Sequence, residues 1–163
     1  MRLFPILAAL LLPCVAQAQS ADKLPPANPL PYADADSAAV MAPITAMFAG
    51  LAAHDAAAIL AQTRPEGGAT VAVEHPDGTR SVRHFGWAEF AGGIKPGADR
   101  YEERLSDPAI EVDGDVAMVW APYVFYLNGK PDHCGVDHFD LVRENGAWKV
   151  LNVTWSQRTS GCR

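Results

Sequence analysis

Four extended segments, separated by short turn signals, constrain the fold of this chain more than any other feature. The turn sequences are Asp113-Gly114-Asp115, Asn128-Gly129 and Glu144-Asn145-Gly146. Asn-Gly and Asp-Gly pairs between strands favour tight hairpins because these residues tolerate positive φ. We therefore predict an antiparallel meander of four long strands. The predicted strands cover residues 101–112, 116–127, 133–143 and 148–157.

Two helices are predicted ahead of the strands. Apolar residues recur at helical spacing between residues 40 and 51, and Asp36 or Ser37 can cap the start of this helix. Pro43 lies within the pattern and should either kink the helix or mark its true first turn. Asp55 can cap a second, short helix over residues 56–62. The apolar stripe of the first helix consists of Val40, Ile44, Met47, Phe48 and Leu51.

A hairpin and a small helix are predicted between the two helices and the meander. Residues 70–74 and 80–84 flank the turn His75-Pro76-Asp77-Gly78, and residues 86–92 favour one short helix. The complete order is two helices, a hairpin, a small helix and a long meander. This order predicts an α+β domain in which a curved antiparallel sheet packs on helices.

The first 18 residues have the pattern of a secretory signal peptide. Arg2 precedes an apolar stretch over residues 3–15, and Ala16-Gln17-Ala18 fits a cleavage site. We expect cleavage after Ala18; the alternative is an uncleaved anchor. Residues 19–36 contain four prolines and are predicted to be a flexible lead, which leaves residues 37–163 as the domain. The mature protein should be exported, to the periplasm or the medium.

The charge of the mature chain argues against a nucleic-acid partner. Cleavage would remove one of the 13 basic residues and none of the 19 acidic ones, which leaves a formal charge of −7. Phosphate binding needs clustered Lys and Arg, and no such cluster is present. No segment after the leader is long and apolar enough to predict a membrane span.

Two cysteines remain after cleavage, Cys134 and Cys162. In an oxidising compartment an even pair predicts a disulfide, here between the C-terminal tail and the segment His133-Cys134-Gly135. Closing a loop of roughly 30 residues should stabilise the fold by about 3 kcal/mol. Two free thiols or an intermolecular bond are the alternatives.

The stretch Asp132–Leu141, DHCGVDHFDL, concentrates polar and potential metal-binding side chains. On a strand His133 and Asp137 share a face but lie about 13 Å apart, too far to share one zinc ion. We therefore predict neither a metal site nor a cofactor. Phe139 and Leu141 place the odd-numbered residues on the concave, core side, and Cys134 on the opposite side.

Five stretches of the sequence together are typical of one superfamily: residues 48–55, 112–117, 119–125, 133–137 and 146–150. Through them the chain resembles the nuclear-transport-factor-2-like (NTF2-like) superfamily, and within it the exported SnoaL-like, or lumazine-binding, subgroup. The resemblance implies a cone, in which a bent antiparallel sheet is closed by helices around a pocket. It also implies a homodimer formed through the sheet. Because the superfamily includes isomerases, dehydratases and cyclases, the fold does not give the function.

Residues near the predicted pocket could carry chemistry. Asp137 or His133 could act as general acid or base, and Tyr123 could donate a hydrogen bond to a developing oxyanion. The alternative is that these side chains only satisfy polar neighbours at the mouth of the cone. The predicted apolar walls, which could equally be core packing, are Trp87, Phe90, Trp120 and Phe125.

Three functional hypotheses follow from these residues. The first is an exported protein that holds a small, partly apolar molecule. The second is a cofactor-independent enzyme of the isomerase, dehydratase or cyclase type that uses Asp137, His133 and Tyr123. The third is a non-catalytic interaction module whose cone is filled by its own side chains. The volume of the pocket separates the third hypothesis from the others, and a raised pKa of Asp137 favours the second.

Overall fold

The computed structural model describes residues 34–162, with side chains from residue 36 onward. The predicted signal peptide and nearly all of the predicted lead lie outside the described residues. Within these residues, three helices and seven strands follow one another. The helices are α1 (Asp34–Ala52), α2 (Ala56–Leu60) and α3 (Trp87–Gly93). The strands are β1 (Thr63–Glu74), β2 (Arg80–Gly86), β3 (Tyr101–Leu105), β4 (Ala109–Asp113), β5 (Val116–Leu127), β6 (Lys130–Glu144) and β7 (Ala147–Gln157).

The N-terminal helices form where the apolar spacing predicts them. Helix α1 begins at Asp34, two residues before the earlier of the predicted caps, and Pro43 lies inside it rather than in its first turn. Asp55 caps α2 as predicted, because its carboxylate accepts a hydrogen bond from the backbone N–H of Ala58 at 2.9 Å. Helix α2 ends at Leu60, two residues before the predicted end.

All seven strands belong to one sheet, with the order β2-β1-β7-β6-β5-β3 and with β4 also paired to β5. The strands pair antiparallel except for β1 with β7, which is parallel. Strand β1 begins at Thr63, seven residues before the predicted start, because its first part pairs with β7. The curved α+β architecture predicted from the element order is confirmed.

One predicted strand, residues 101–112, is divided into β3 and β4. Asp107 adopts a positive φ of 43° and Pro108 has no N–H to donate to a ladder, so a regular strand cannot pass through this point. The backbone N–H of Ser106 instead donates to the carbonyl of Pro122 at 2.9 Å. Both segments still pair with the unbroken strand β5.

The core lies between the concave face of the sheet and the helices. Side chains from α1, α2 and α3 meet side chains from β5, β6 and β7 there. Alternation along β6 buries Asp137, Phe139 and Leu141 on this face, so the predicted face assignment is confirmed. The largest fully buried side chains are Trp87, Phe139, Ile44, Ile59, Leu141, Val40, Val119 and Val150.

Cys134 and Cys162 form a disulfide, with their Cα atoms 5.5 Å apart. Cys134 also exchanges two backbone hydrogen bonds with Arg158, each of 2.9 Å. Although Cys134 is on the convex face, its side chain is buried, because the tail covers it. The chain beyond β7 is therefore attached to β6 by both covalent and hydrogen bonds.

We predict that removing this disulfide by the double substitution Cys134→Ser and Cys162→Ser lowers the free energy of unfolding by about 3 kcal/mol, because the bond closes a 28-residue separation in the unfolded chain. Urea unfolding followed by circular dichroism measures this. The natural chain in dithiothreitol should match the double variant. Unfolding curves that are identical with and without reductant would contradict the prediction.

Candidate functional site

A cavity of about 450 Å³ opens between the concave face of the sheet and the three helices. Its wall is mostly apolar, with contributions from every helix and from β3, β5, β6 and β7. The apolar and aromatic lining residues are Met47, Phe48, Leu51, Ile59, Phe90, Ile94, Tyr101, Phe125, Leu127, Phe139, Val153 and Trp155. The polar lining residues are Asp99, Glu103, Tyr123, His133, Asp137 and Gln157.

Asp137 is the most deeply buried acid among the described residues, with 2 % of its surface exposed. The β6 pleat turns its side chain into the cavity, between Ala121 of β5 and Trp155 of β7. No N–H or O–H group of the described residues donates to its Oδ2 atom. A buried carboxylate oxygen that accepts no hydrogen bond destabilises the folded protein. The carboxyl group must therefore keep its own proton or accept a hydrogen bond from a bound molecule.

Glu103, which was not among the predicted site residues, is the neighbour that interacts with the buried carboxyl of Asp137. It extends from β3, which lies beside β5, and its carboxyl interacts with that of Asp137. Two carboxyl groups can hydrogen-bond only when at least one holds a proton. The alternation of Tyr101, Glu103 and Leu105 on one face of a strand was the available signal for this residue.

The surroundings of this pair favour retention of protons. Burial raises the pKa of Asp137 to about 10, and the negative charge of Glu103 adds to the effect. Burial likewise raises the pKa of Glu103 to about 7, opposed by its hydrogen bond with Asp137. Near neutral pH the pair therefore holds at least one proton, with Asp137 as the donor and Glu103 as the acceptor.

Tyr123 lies beside the pair but its proton is already used. The residue is 2 % exposed, and its hydroxyl donates to the backbone carbonyl of Ser156 at 3.1 Å. Burial, followed by the negative charges of Asp137 and Glu103, raises the pKa of the phenol well above its ordinary range. The hydroxyl therefore stays protonated, and it can donate to a ligand only by leaving Ser156.

His133 lines the cavity from a half-buried position near its edge. Its ring stacks on Phe125 with centroids 4.7 Å apart, and its Nδ1 lies 2.8 Å from a carboxylate oxygen of Asp132. These contacts fix the orientation of the imidazole. The structure thus brings the three residues proposed for chemistry to one cavity; their catalytic role stays a prediction.

Only two of the four predicted wall residues line the cavity. Phe90 and Phe125 do so, whereas Trp87 is buried behind the wall and donates from Nε1 to the carbonyl of Leu151 at 2.9 Å. Trp120 is 51 % exposed, because it lies on the convex face of β5. The expectation that Trp87 and Trp120 form the wall is therefore wrong. Trp155 of β7, which was not among the predicted wall residues, is the tryptophan that lines the cavity.

The segment 94–100 borders the cavity between α3 and β3. His54 holds it, because Nδ1 and Nε2 lie 2.7 and 2.8 Å from the carbonyl oxygens of Lys95 and Asp99. The ring also packs on Tyr101, with centroids 4.4 Å apart. His54 thus supports the wall from outside.

Within residues 34–162, no three His, Cys, Asp or Glu side chains are arranged to hold a metal ion. The helices in this range are also too short or too polar to cross a membrane.

Comparison with known proteins places the fold. No family model matches the chain, and no curated protein matches it. Solved structures do match. The "beta subunit of a putative aromatic-ring-hydroxylating dioxygenase" from Novosphingobium aromaticivorans aligns with a TM-score of 0.63 and 13% identity, over 77% of this chain and 91% of that chain.

Two further solved structures also align with this chain. An NTF2-like protein with a cystatin-like fold from Novosphingobium aromaticivorans gives a TM-score of 0.60 at 16% identity, over 78% of this chain and 84% of that chain. A "putative dehydratase from the NTF2-like family" of Streptomyces avermitilis aligns with a TM-score of 0.55 at 17% identity, over 77% of this chain and 97% of that chain. At these identities the likeness concerns the fold and not the activity. The sequence resemblance is confirmed at that level: the chain has the NTF2-like fold, a cone of curved sheet and helices around a cavity.

Proposed function

We propose that this protein binds a small, largely apolar molecule in the cone cavity, and that the Glu103–Asp137 carboxyl pair contacts the ligand's polar group. One observation carries the proposal: a cavity of about 450 Å³, lined by apolar and aromatic side chains, contains a buried acid whose Oδ2 has no donor among the described residues. Ligand pockets typically combine an apolar wall of this size with a few convergent polar groups.

The volume argues against the hypothesis of a cone filled by its own side chains. A filled cone would leave only voids near the size of a water molecule, as packed interiors do. The cavity is far larger, and polar groups such as those of Glu103 and Asp137 line it. A pure interaction module has no use for a carboxyl pair in its interior. Such a pair lowers stability, which favours a role for it in binding a ligand or in a reaction.

Binding can be tested with Nile red, an uncharged apolar dye whose fluorescence rises in dry surroundings. The informative variant is Leu51→Trp, since Leu51 lines the cavity and a larger side chain fills part of it. We expect its dye affinity to fall by about tenfold, which corresponds to about 1.4 kcal/mol. The matched control is Leu60→Trp, because Leu60 is exposed and not part of the wall. Equal affinity in both variants would refute the cavity as the binding site.

A second candidate function is cofactor-independent proton-transfer catalysis of the isomerase, dehydratase or cyclase type. The raised pKa values of the two carboxyls favour it, because a protonated Asp137 and an ionised Glu103 are a general acid and a general base side by side. Tyr123 is the weaker candidate for an oxyanion donor, since its proton already serves Ser156. The similarity to a structure named as a dehydratase supports this candidate only by analogy of fold.

For a substrate found by screening, we expect Asp137→Asn and Glu103→Gln each to lower kcat by about 10²–10⁴-fold, the usual contribution of a general acid or base. His133→Ala serves as a comparison, because the ring faces Asp132 and Phe125 rather than the pair. Full turnover in both carboxyl variants would reject the catalytic function.

Export and self-association complete the proposal. The signal-peptide pattern of residues 1–18 supports export to the periplasm or medium, and the disulfide is compatible with an oxidising compartment.

Val116 and Trp120 are large exposed apolar side chains of β5, and they support a homodimer formed through the convex face. Mass spectrometry of the exported protein, under native and denaturing conditions, would test cleavage after Ala18, the dimer and a co-purified ligand together.

A further inference from the structure

The charged side chains that line the cavity are mostly acidic, although Arg158 lies near enough to Tyr123 to act on it electrostatically. Three lining residues carry carboxyl groups, Asp99, Glu103 and Asp137, and no lining residue is Lys or Arg. His133 is the one other basic side chain in the wall, and its Nδ1 faces Asp132. Of the three acids, Asp137 is buried, Glu103 is half-buried and Asp99 is exposed, and no lining Lys or Arg pairs with them.

We propose that the polar group of the ligand is a cation, an ammonium group on an aromatic or aliphatic body. This inference rests on the proposed binding function and names its ligand class. An ammonium carries several N–H donors, and Asp137 Oδ2 is a buried acceptor for which the described protein offers none. One ammonium could donate to Asp137 and Glu103 at once.

The aromatic wall suits the same ligand. Besides Tyr123, six aromatic side chains line the cavity, and the face of an aromatic ring attracts a cation within about 6 Å of its centroid. The rings would also bury the apolar body of the ligand. They are Phe48, Phe90, Tyr101, Phe125, Phe139 and Trp155.

Ligands of other charge fit less well. An uncharged alcohol or ketone can accept the hydrogen bond that the protonated carboxyl of the pair offers, but it cannot compensate the negative charge on the other carboxyl. A carboxylate ligand would meet Asp99, Glu103 and Asp137 with no Lys or Arg in the wall to pair with it. The expected order of affinity is ammonium, then uncharged, then carboxylate.

Ammonium binding should also release a proton. The two carboxyls share a proton in the free protein, and an ammonium that donates to both takes the place of that proton. The proton passes to the buffer, so the heat of binding depends on the buffer's ionisation enthalpy. A ligand that merely fills the apolar space releases none.

The experiment uses three probes with one skeleton: 4-phenylbutylamine, 4-phenylbutan-1-ol and 4-phenylbutyrate. Isothermal titration calorimetry at pH 7.5, in phosphate and in Tris, gives affinity and proton release for each probe. We expect the amine to bind about tenfold or more tighter than the alcohol, a difference of about 1.4 kcal/mol. We also expect proton release with the amine alone and the weakest binding for the carboxylate.

Variants assign the effect to the pair. In the double variant Glu103→Gln, Asp137→Asn, the amine should lose its advantage over the alcohol, whereas the alcohol's own affinity should change little. The charge-matched control is Glu89→Gln, Asp113→Asn, since both residues are exposed and neither lines the cavity. The control should keep the preference for the amine.

The outcomes separate this inference from the proposed function. The proposal of a cationic ligand is refuted if the alcohol binds as tightly as the amine or more tightly, or if the carboxylate binds as tightly as the amine. Either result leaves the proposed binding of an apolar molecule intact. Failure of all three probes, together with failure of Nile red, overturns both. An amine preference that persists in the double carboxyl variant overturns the role of Glu103 and Asp137.

Discussion

Replacing Asp137 with Asn is expected to make the folded protein more stable above neutral pH and to flatten the dependence of its stability on pH. The ordinary pKa of an aspartate is 3.8, and burial together with Glu103 raises that of Asp137 to about 10. Between these values the folded state keeps a proton that the unfolded state has lost. Stability in this window therefore falls as pH rises, by up to about 1.4 kcal/mol per pH unit for one proton.

Glu103 contributes in the same direction over a narrower window, from its ordinary value of 4.5 to about 7. The natural protein should therefore lose stability most steeply between about pH 4.5 and 7, where both groups act. Asn keeps the shape of the side chain, donates a hydrogen bond to Glu103 and has no proton to lose. It also removes the neighbouring acid that helps to keep Glu103 protonated.

Urea unfolding of the natural protein and of Asp137→Asn at pH 5, 6.5 and 8 measures the effect. We expect the variant's advantage to grow with pH and to reach about 2 kcal/mol or more at pH 8. Asp113→Asn is the control, because Asp113 is exposed at the end of β4, and its curve should follow that of the natural protein. A constant difference between the natural protein and Asp137→Asn at all three pH values would show that the carboxyl titrates normally.

A gain of stability on loss of an acid indicates what the acid is for. Evolution retains a destabilising buried group when it serves binding or chemistry, because function often trades against stability. The cone would be more stable with an amide at position 137. A measured gain of stability in Asp137→Asn would therefore be an argument for a functional cavity that is independent of any fold comparison.

Local signals in the sequence were sufficient for the meander. Strand β5 has the predicted bounds, and β6 and β7 begin or end within three residues of theirs. The turns that separate them use Gly114, Asn128, Gly129, Asn145 and Gly146, all with positive φ. Turn chemistry and alternation depend on neighbouring residues, so they can be interpreted from one sequence.

The errors concern contacts between distant parts of the chain. The early start of β1 depends on its parallel pairing with β7, about 85 residues away, and residues 64–68 have only turn character on their own. Glu103 matters because β3 lies beside β5, which brings its carboxyl toward Asp137. The wrong assignment of Trp120 to the cavity wall was avoidable. Tyr123 and Phe125 face inward, so alternation along the strand places residue 120 on the outer face.

A large loss of stability is expected for Gly135→Ala, a change of one methyl group. Gly135 lies in the middle of β6, and a Cβ atom there would overlap the backbone carbonyl oxygen of Ser156. The obstacle is backbone, so no rotamer change relieves it. Since this carbonyl also accepts the hydrogen bond of Tyr123, a shift of β7 would disturb the cavity wall beside Asp137.

We expect Gly135→Ala to lower the free energy of unfolding by about 4 kcal/mol or to prevent folding, which places it among the most damaging single substitutions. Gly92→Ala is the matched control: Gly92 lies in α3, nothing lies within 4 Å of the added methyl, and a helical alanine should stabilise by about 0.5–1 kcal/mol. Urea unfolding of both glycine variants tests this prediction. A Gly135→Ala protein as stable as the control would mean that β7 does not approach β6 this closely. The bond from Tyr123 to Ser156, which occupies the phenol's proton, would then have to be reconsidered, and Tyr123 would return as a donor to the ligand.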